Sequence, residues 1–534
     1  MVAALEFVVV LGCALLVSGA LAHRLKVAAP VVQLAAGVLL GFVPALRGTE
    51  LPPEVLLLVF LPVLLYWESV TTSLRGIRRD LRGIVLTGTL LVVVTAWAVA
   101  ALAHALGLPW GPAWVLGAAV APTDATAVGV VSRLLPRRNV TLLRAESLIN
   151  DGTALVVYSL AVGVTAGSEH LGTAHVSGLV VLSYGGGIAV GVLVAWLGIR
   201  LRRLVRGLGE PMLDNLTIIL IPFSAYLLAE RAEASGVLAV VVCGLIMSQA
   251  GPSLGGAEAR RQTTAFWSLA MYLLNGVLFV LVGLEAQAAV RGLSGTALTT
   301  ALLTVAAASC ALVVVRFLFL FAAVYTIRAL DRRPRQRERR MGHRARVVSA
   351  LAGFRGAVSL ALALSVPYTL DSGGPFPDRD TIVFVTAGVV VTTLVVQALI
   401  LPSVARWARL PHDTDTEREL ALARTTASRA ALDALPAVAA DLGTDPEVAE
   451  RLRATYEIHL HTLRAAETVD TPDADTLVRH HEQETALRLA LLEHKRSAVI
   501  GLRDARHIDD AVLQSVQAQL DVEEVRLAPT AEPE

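Results

Sequence analysis

Long apolar runs, repeated along most of the chain, are the feature that most restricts its fold. Hydrophobic residues make up 55% of the 534 residues and charged residues only 17%. A helix of about 20 residues crosses the ~30 Å hydrocarbon core of a bilayer, and a helix satisfies its own backbone hydrogen bonds there. The sequence therefore predicts an all-α polytopic membrane protein with about 13 transmembrane helices. The predicted spans are residues 3–22, 27–46, 51–70, 83–106, 110–131, 142–166, 176–199, 213–230, 234–250, 265–287, 295–327, 343–367 and 380–405.

Basic residues are distributed unevenly between the predicted loops. The loops after the odd-numbered spans carry nearly all of them, for example Arg75, Arg78, Arg79 and Arg82 after the third span. Lysine and arginine are retained on the cytoplasmic side of a membrane. We therefore predict an amino terminus outside, a carboxyl terminus in the cytoplasm, and a location in the plasma (inner) membrane of a bacterium.

Composition changes abruptly near Pro411. Residues 1–410 carry a formal charge of +13 and residues 411–534 a charge of −12, which the overall value of +1 conceals. The acidic segment alternates apolar and charged residues at helical spacing, with Pro436 as a predicted break. The sequence predicts a transmembrane domain over residues 1–410 and a small helical cytoplasmic tail over 411–534. We expect no nucleic-acid partner for either.

Polar residues interrupt the sixth span in an ordered pattern. Glu146, Ser147, Asn150 and Asp151 lie inside an apolar run. A charge at bilayer depth costs roughly 2.5–3.5 kcal/mol even on lenient scales, so such residues indicate a functional site. Residues four apart share a helix face, which pairs Ser147 with Asp151 and Glu146 with Asn150. The first pair could hold an ion while the second supports the site. A polar seam between packed helices is the simpler alternative.

Two further spans contain helix-breaking residues at matching places. In the fifth span, Pro122 removes a helical hydrogen bond and disfavours helical geometry at Ala121. Freed carbonyls beside Thr123 and Asp124 would form an oxygen-rich cation site. In the twelfth span Arg355 stands between glycines and needs a carboxylate partner, for which Glu146 is the candidate. Two inverted six-helix repeats with discontinuous crossed helices would account for both breaks.

The motifs together resemble a known family, the sodium/proton exchangers of the monovalent cation/proton antiporter superfamily, particularly their bacterial members. The resemblance covers roughly residues 1–410. It is carried by Phe60-Leu61-Pro62-Val63-Leu64-Leu65-Tyr66-Trp67-Glu68, by Ala121-Pro122-Thr123-Asp124-Ala125-Thr126-Ala127-Val128, by Glu146-Ser147-Leu148-Ile149-Asn150-Asp151-Gly152 and by Gly353-Phe354-Arg355-Gly356-Ala357-Val358-Ser359-Leu360.

The resemblance implies roles for the site residues. Asp151 would carry the exchanged cation or proton, and Asp124, Ser147 and the Thr123 carbonyl would help to coordinate the cation. Asn150 would belong to the Asn-Asp pair of the electroneutral branch, and Glu146 would pair with Arg355. From its place near the cytoplasmic end of the third span, Glu68 could attract cations into a funnel.

The function implied is secondary active antiport by alternating access. A monovalent cation, Na+ first and Li+ or K+ as alternatives, would exchange one for one with H+ in pH and salt homeostasis. The resemblance also implies a homodimer that needs no cofactor and is not an enzyme. An intramembrane aspartyl protease using Asp124 and Asp151 is disfavoured, because neither a Tyr-Asp nor a Gly-x-Gly-Asp pattern surrounds them. A cation channel would not need a titrating carboxylate.

Overall fold

The structure, a computed structural model, consists of helices joined by turns and loops in the part of the chain it describes, and one isolated bridge joins Thr369 to Pro375. The described residues are 2–25, 27–44, 56–124, 137–167, 173–208, 210–254, 257–292, 295–330, 342–409, 414–467 and 510–527, with separate short stretches between 483 and 507. The chain divides into two compact units, Met1–Pro411 and His412–Glu534.

The first unit holds fifteen helices within its described residues. They are α1 Val2–Leu25, α2 Ala29–Leu40, α3 Leu61–Thr71, α4 Leu74–Leu86, α5 Val92–Ala105, α6 Trp110–Val120, α7 Arg137–Ala166, α8 Thr173–Arg206, α9 Pro211–Arg231, α10 Gly236–Leu254, α11 Ala257–Gly292, α12 Gly295–Leu330, α13 His343–Leu351, α14 Ala357–Leu364 and α15 Arg379–Ala408. Two π-helical turns, Leu56–Phe60 before α3 and Thr87–Leu91 between α4 and α5, widen the backbone locally.

The membrane character of the first unit is confirmed. Among the described residues, eight helices are long and apolar enough to cross a bilayer, and five shorter apolar helices accompany them. Several predicted spans are divided or shortened, so the number thirteen remains a prediction. The twelfth span in particular is two short helices, α13 and α14, instead of one.

Both predicted interruptions are present. Helix α6 ends at Val120 and irregular backbone follows through Asp124, while residues 352–356 separate α13 from α14. One detail of the expectation was wrong: Ala121 keeps helical angles, φ −67° and ψ −41°. The steric effect of Pro122 is therefore accommodated after Ala121, at residues 122–124. Residues 125–136, which complete the predicted fifth span, lie outside the described residues.

The helices of the first unit pack mainly within two groups. One group contains α1, α2, α3 and α8 through α11, and the other contains α4 through α7 and α12 through α15. The groups meet where α11 packs against α14 and α15, and where α3 and α10 meet α7. Both broken helices belong to the second group, which we call the core group; the first is called the scaffold group.

The second unit is described as three helices, α16 Thr414–Asp441, α17 Pro446–Glu467 and α18 Asp510–Leu527. The predicted break at Pro436 is wrong, because α16 continues through it to Asp441. That helix is largely exposed around Pro436, so the ring and the lost hydrogen bond are accommodated at the surface. A cytoplasmic position for this unit remains a prediction.

Candidate functional site

The two helix breaks touch each other through their main chains. The Asp124 amide donates to the Phe354 carbonyl oxygen at 2.8 Å, and the Ala357 amide donates to Asp124 Oδ2 at 3.0 Å. Ala357 begins α14, so the Asp124 carboxylate lies at the positive end of that helix. A Cβ added to Gly356 would collide with the Asp124 carboxyl group, so glycine is needed for this approach. The prediction that the discontinuous helices cross is confirmed.

Arg355 also contacts both helix breaks. Its Nε donates to the Val120 carbonyl oxygen at 3.1 Å, and its Nη1 donates to the carbonyl oxygen of Gly353. Those carbonyls belong to the end of α6 and to the second break, where no helical amide is available to them. The guanidinium thus replaces backbone donors that the breaks remove. The side chain is 2% exposed.

Thr123 connects the first break to α7. The Ser147 hydroxyl donates to the Thr123 carbonyl oxygen at 2.7 Å, and Asn150 Nδ2 donates to Thr123 Oγ1 at 2.6 Å. Ser147 and Asn150 lie on adjacent stripes of α7, so one residue of the break receives hydrogen bonds from both. Polar residues of the sixth span therefore hydrogen-bond to the helix break in the fifth span.

Asp151 lies one residue beyond this contact, fully inside the protein. Its side chain is 2% exposed, and its Oδ1 has no hydrogen-bond partner among the described residues. Two other carboxylates, Glu68 and Asp124, are among its charged neighbours. A buried carboxylate with no donor and with negative neighbours is costly. Binding a cation or a proton would remove that cost.

Glu68 takes part in the same cluster, which differs from the expectation that it lies in a funnel near the membrane surface. It projects from α3 of the scaffold group and interacts with Ser147 and Asp124 of the core group. Its Oε1 is buried without a hydrogen-bond partner in the described part of the chain. Tyr66 and Trp67 beside it pack on the ring of Trp267, with centroids 5.7 and 5.3 Å away. This packing holds α3 against α11.

The predicted pair of Glu146 with Arg355 is not what the structure shows. Glu146 forms its ion pair with Arg316 Nη1, from α12. Both side chains are buried, and Arg316 Nε also donates to the Ser349 carbonyl oxygen at 3.2 Å. The reason for the difference is that the freed carbonyls of Val120 and Gly353 already occupy Arg355. The Glu146 carboxylate is then left for the second guanidinium in the membrane.

A small cavity of about 10 Å³ lies beside this ion pair and next to the Thr123 contact. Its polar lining comes from both breaks, from α7 and from the helix around the second π-helical turn. The lining residues are Thr87, Leu91, Val92, Thr95, Ala121, Thr123, Glu146, Asn150, Arg316 and Arg355. Asn150 Oδ1 and Arg316 Nη2 are buried there without protein partners among the described residues. The cavity is polar, and its volume suits about one water molecule.

The predicted cluster of Thr123, Asp124, Ser147 and Asp151 therefore comes together around one break, with Asn150 bonded to Thr123. The sequence did not identify Glu68 as part of that cluster or Arg316 as the partner of Glu146. A signal existed for each. Arg316 is a further arginine within a membrane span. Glu68 lies at the end of the apolar third span, and its depth becomes clear only from the π-helical turn before α3.

Comparison with known proteins places this geometry in context. A family model described as "Sodium/hydrogen exchanger, transmembrane" matches residues 11–407. An uncharacterised Na(+)/H(+) exchanger, Rv2287 of Mycobacterium tuberculosis strain H37Rv, is 43% identical over 99% of this chain and 97% of its own length. A second, YjcE of Escherichia coli K12, is 30% identical over 93% and 94%.

A solved structure has the same fold. The sodium proton antiporter MjNhaP1 from Methanocaldococcus jannaschii, determined at pH 8, superposes with a TM-score of 0.55 at 21% identity. The match covers 76% of this chain and 98% of that one. At this level of identity the similarity shows the fold and does not extend to individual side chains.

Proposed function

The chain belongs to the sodium/hydrogen exchanger family, and from that premise we propose that Asp151 is the group for which the transported cation and the proton compete. The protein is a monovalent cation/proton antiporter of bacterial type, a transporter and not an enzyme. The observation that supports the assignment is the buried Asp151 Oδ1, which has no donor among the described residues and has the Asp124 and Glu68 carboxylates as charged neighbours. Competition for one carboxylate couples the two fluxes, since each ion must leave before the other binds.

The cation ligands follow from the same contacts. Asp151, Asp124 and Glu68 supply carboxylate oxygens, and Ser147 and the Thr123 carbonyl supply neutral ones. Oxygen ligands of this kind suit a hard monovalent cation. Na+ is the cation we propose, with K+/H+ exchange as the alternative and Li+ as a further substrate. Asn150 acts indirectly in this scheme, because its amide holds Thr123 in place.

Alternating access would use the boundary between the two helix groups. Glu68 belongs to the scaffold group, whereas Asp124, Ser147 and Asp151 belong to the core group. A second contact across that boundary joins Glu285 of α11 to Arg379 of α15 at 3.9 Å. Movement of the core group against the scaffold group would carry the site from one side of the membrane to the other. A homodimer in the plasma membrane, with its carboxyl terminus in the cytoplasm, would hold the scaffold still.

The experiment that tests the function is proton release from acid-loaded proteoliposomes. Addition of external Na+ is expected to alkalise the lumen, with a half-maximal concentration lower than for K+. Li+ and K+ are added to parallel samples, and protein-free vesicles give the leak rate. Equal responses to Na+ and K+ would show that the protein exchanges both cations and does not prefer Na+. An absence of any response would reject Asp151 as an exchange site.

Charge balance predicts electroneutral exchange. Asn150 cannot titrate, and Glu146 is neutralised by Arg316. If Asp124 and Glu68 each keep one protonation state through the cycle, the core group carries the same charge with a proton or with Na+ on Asp151. A membrane potential would then have no effect, although one charge crossing 100 mV is worth ~2.3 kcal/mol.

A potassium diffusion potential set with valinomycin across sodium-loaded proteoliposomes checks this prediction. The initial proton flux is expected to be the same with the potential imposed or collapsed. A flux that changes several-fold would contradict one-for-one exchange and would identify Glu68 or Asp124 as a second titrating group. Repeating the measurement with Glu68→Gln would then distinguish between those two carboxylates.

A further inference from the structure

Helix α4 concentrates positive charge in the described link between two membrane helices. Its 13 residues, Leu74–Leu86, include Arg75, Arg78, Arg79 and Arg82. Ser73 caps its start by accepting a hydrogen bond from the Gly76 amide at 3.3 Å. The backbone leaves helical geometry at Asp80, with φ −114° and ψ 17°. The helix is thus kinked at Asp80, and its second half continues through the π-helical turn into α5.

One face of α4 is packed against α7, the helix that carries Ser147 and Asp151. Ile77 and Ile84 are 5% and 2% exposed and pack against Ala145 of α7. A Cβ added to Gly76 would meet the Thr141 side chain, so the two helices are in close contact there. Any ligand bound to the other face of α4 therefore acts one helix away from the ion site.

Exposed side chains of α4 combine positive charge with apolar surface, and we call this set the stripe. Arg78 precedes the non-helical Asp80, and Leu81, Arg82 and Val85 follow it at helical spacing. All four are exposed, Leu81 by 46% and Val85 by 42%. Positively charged tips beside exposed apolar side chains match the boundary between lipid phosphates and acyl chains.

The positions of Arg78 and Arg82 along the chain agree with a location at the lipid headgroups. The apolar segment long enough to cross a membrane starts at Asp80 and continues to Ala105. Arg78 and Arg82 stand within one helical turn of that start, on either side of it. They are therefore at the level where headgroup phosphates lie, while Val85 extends toward the hydrocarbon.

We propose that this stripe, Arg78, Leu81, Arg82 and Val85, binds the headgroup of an anionic phospholipid, with the two guanidinium groups on its phosphate. Arginine suits this role because its planar fork bonds two phosphate oxygens together. Leu81 and Val85 contact the first acyl carbons. The bound lipid stabilises the packing of α4 on α7 and thereby strengthens cation binding; this second consequence depends on the proposed exchange function, whereas the lipid site itself does not.

Binding is tested with purified full-length protein and phosphatidylglycerol. Each basic residue near an anionic surface contributes about fivefold in affinity, so Arg78→Gln with Arg82→Gln is expected to weaken lipid binding on the order of 25-fold. Intact-complex mass spectrometry measures the lipid retained. The matched control is Arg203→Gln with Arg206→Gln, two exposed arginines at the end of α8. Arg78→Lys with Arg82→Lys keeps the charge and is expected to bind at intermediate strength.

The outcomes separate the lipid site from general surface charge. Unchanged lipid retention in the Arg78/Arg82 variant, or an equal loss in the control, overturns the proposal. Thermal unfolding of both variants in detergent verifies that they are folded. Cardiolipin serves as a second anionic lipid, and glycerol phosphate alone, which lacks acyl chains, is expected not to compete.

Exchange assays then test the consequence for transport. Wild-type protein is expected to have a lower half-maximal Na+ concentration in vesicles containing phosphatidylglycerol than in phosphatidylcholine alone, and the Arg78/Arg82 variant is expected to lose this difference. If both proteins respond equally to the lipid, the coupling to α7 is rejected. Absence of exchange in every lipid would reject the proposed function and leave the binding result standing.

Discussion

Asp151→Asn is expected to reduce cation-driven proton movement to the rate of protein-free vesicles. The substitution keeps the size of the side chain but removes both the negative charge and the ability to bind a proton. Because Asp151 Oδ1 has no protein partner in the described structure, the amide loses no hydrogen bond there, and folding should be preserved. Burying a neutral amide beside Glu68 and Asp124 should even relieve repulsion. Thermal unfolding is therefore expected to be unchanged or shifted upward while exchange is lost.

The control for this result is Asp378→Asn, outside the site. Asp378 precedes α15 in a left-handed conformation, φ 55°, which asparagine also tolerates. That variant is expected to exchange at the wild-type rate. Glu68→Gln should have a smaller effect. It removes one of the negative charges around the cation but leaves Asp151 in place, so the affinity for the cation should fall while exchange persists. Retained coupled exchange in Asp151→Asn would show that another carboxylate carries the ions.

Breaking the Glu146 and Arg316 ion pair is expected to cost about 3–5 kcal/mol of stability, because removal of one partner leaves the other charged and buried. Glu146→Gln and Arg316→Gln should each lower the unfolding temperature and the yield. The double variant Glu146→Met with Arg316→Met should be less damaging than either, since no charge is left uncompensated. Thermal unfolding of the four proteins in one detergent provides the measurement.

A second buried pair is the matched control for that prediction. Arg202 Nε lies 2.7 Å from Asp214 Oδ1, and both side chains are only 6% exposed. Arg202→Gln should lower stability by a similar amount without altering cation affinity, since neither Arg202 nor Asp214 is among the proposed cation ligands. Glu146 and Arg316 line the cavity beside Asn150. If their single variants remain fully stable and lose only cation affinity, the pair belongs to the ion site and not to its support.

Most of the site could be predicted because its residues are polar or helix-breaking residues in an otherwise apolar sequence. Asp124, Ser147 and Asp151 stood out as polar residues at membrane depth, and Pro122 and the glycines around Arg355 marked the breaks. Partners were harder to predict. Arg316 and Arg355 lie deep within predicted spans and either could pair with Glu146; the choice depends on which guanidinium reaches the carbonyls freed at Val120 and Gly353.

The registers of the helices could not be predicted from the sequence either. The apolar pattern of the third span gave no sign of the π-helical turn at Leu56–Phe60, which precedes the helix that carries Glu68. Apolar periodicity defines a face only within one regular helix. Where the helix type changes, the face changes with it, and residues expected near a membrane surface can meet the centre.

The π-helical turn at Thr87–Leu91 shows what such a change accomplishes. In an uninterrupted α-helix, eight residues rotate the chain by two full turns and about 80° more, so Thr87 and Thr95 would point in clearly different directions. A π turn advances by a smaller angle per residue. Both threonines thereby line the same cavity wall beside Arg316 and Asn150. Converting this turn to regular α-helix without deleting a residue would leave the composition of the wall unaltered and rotate Thr95 about 80° out of it, so the phase of the backbone, as much as side-chain identity, determines which residues line the cavity.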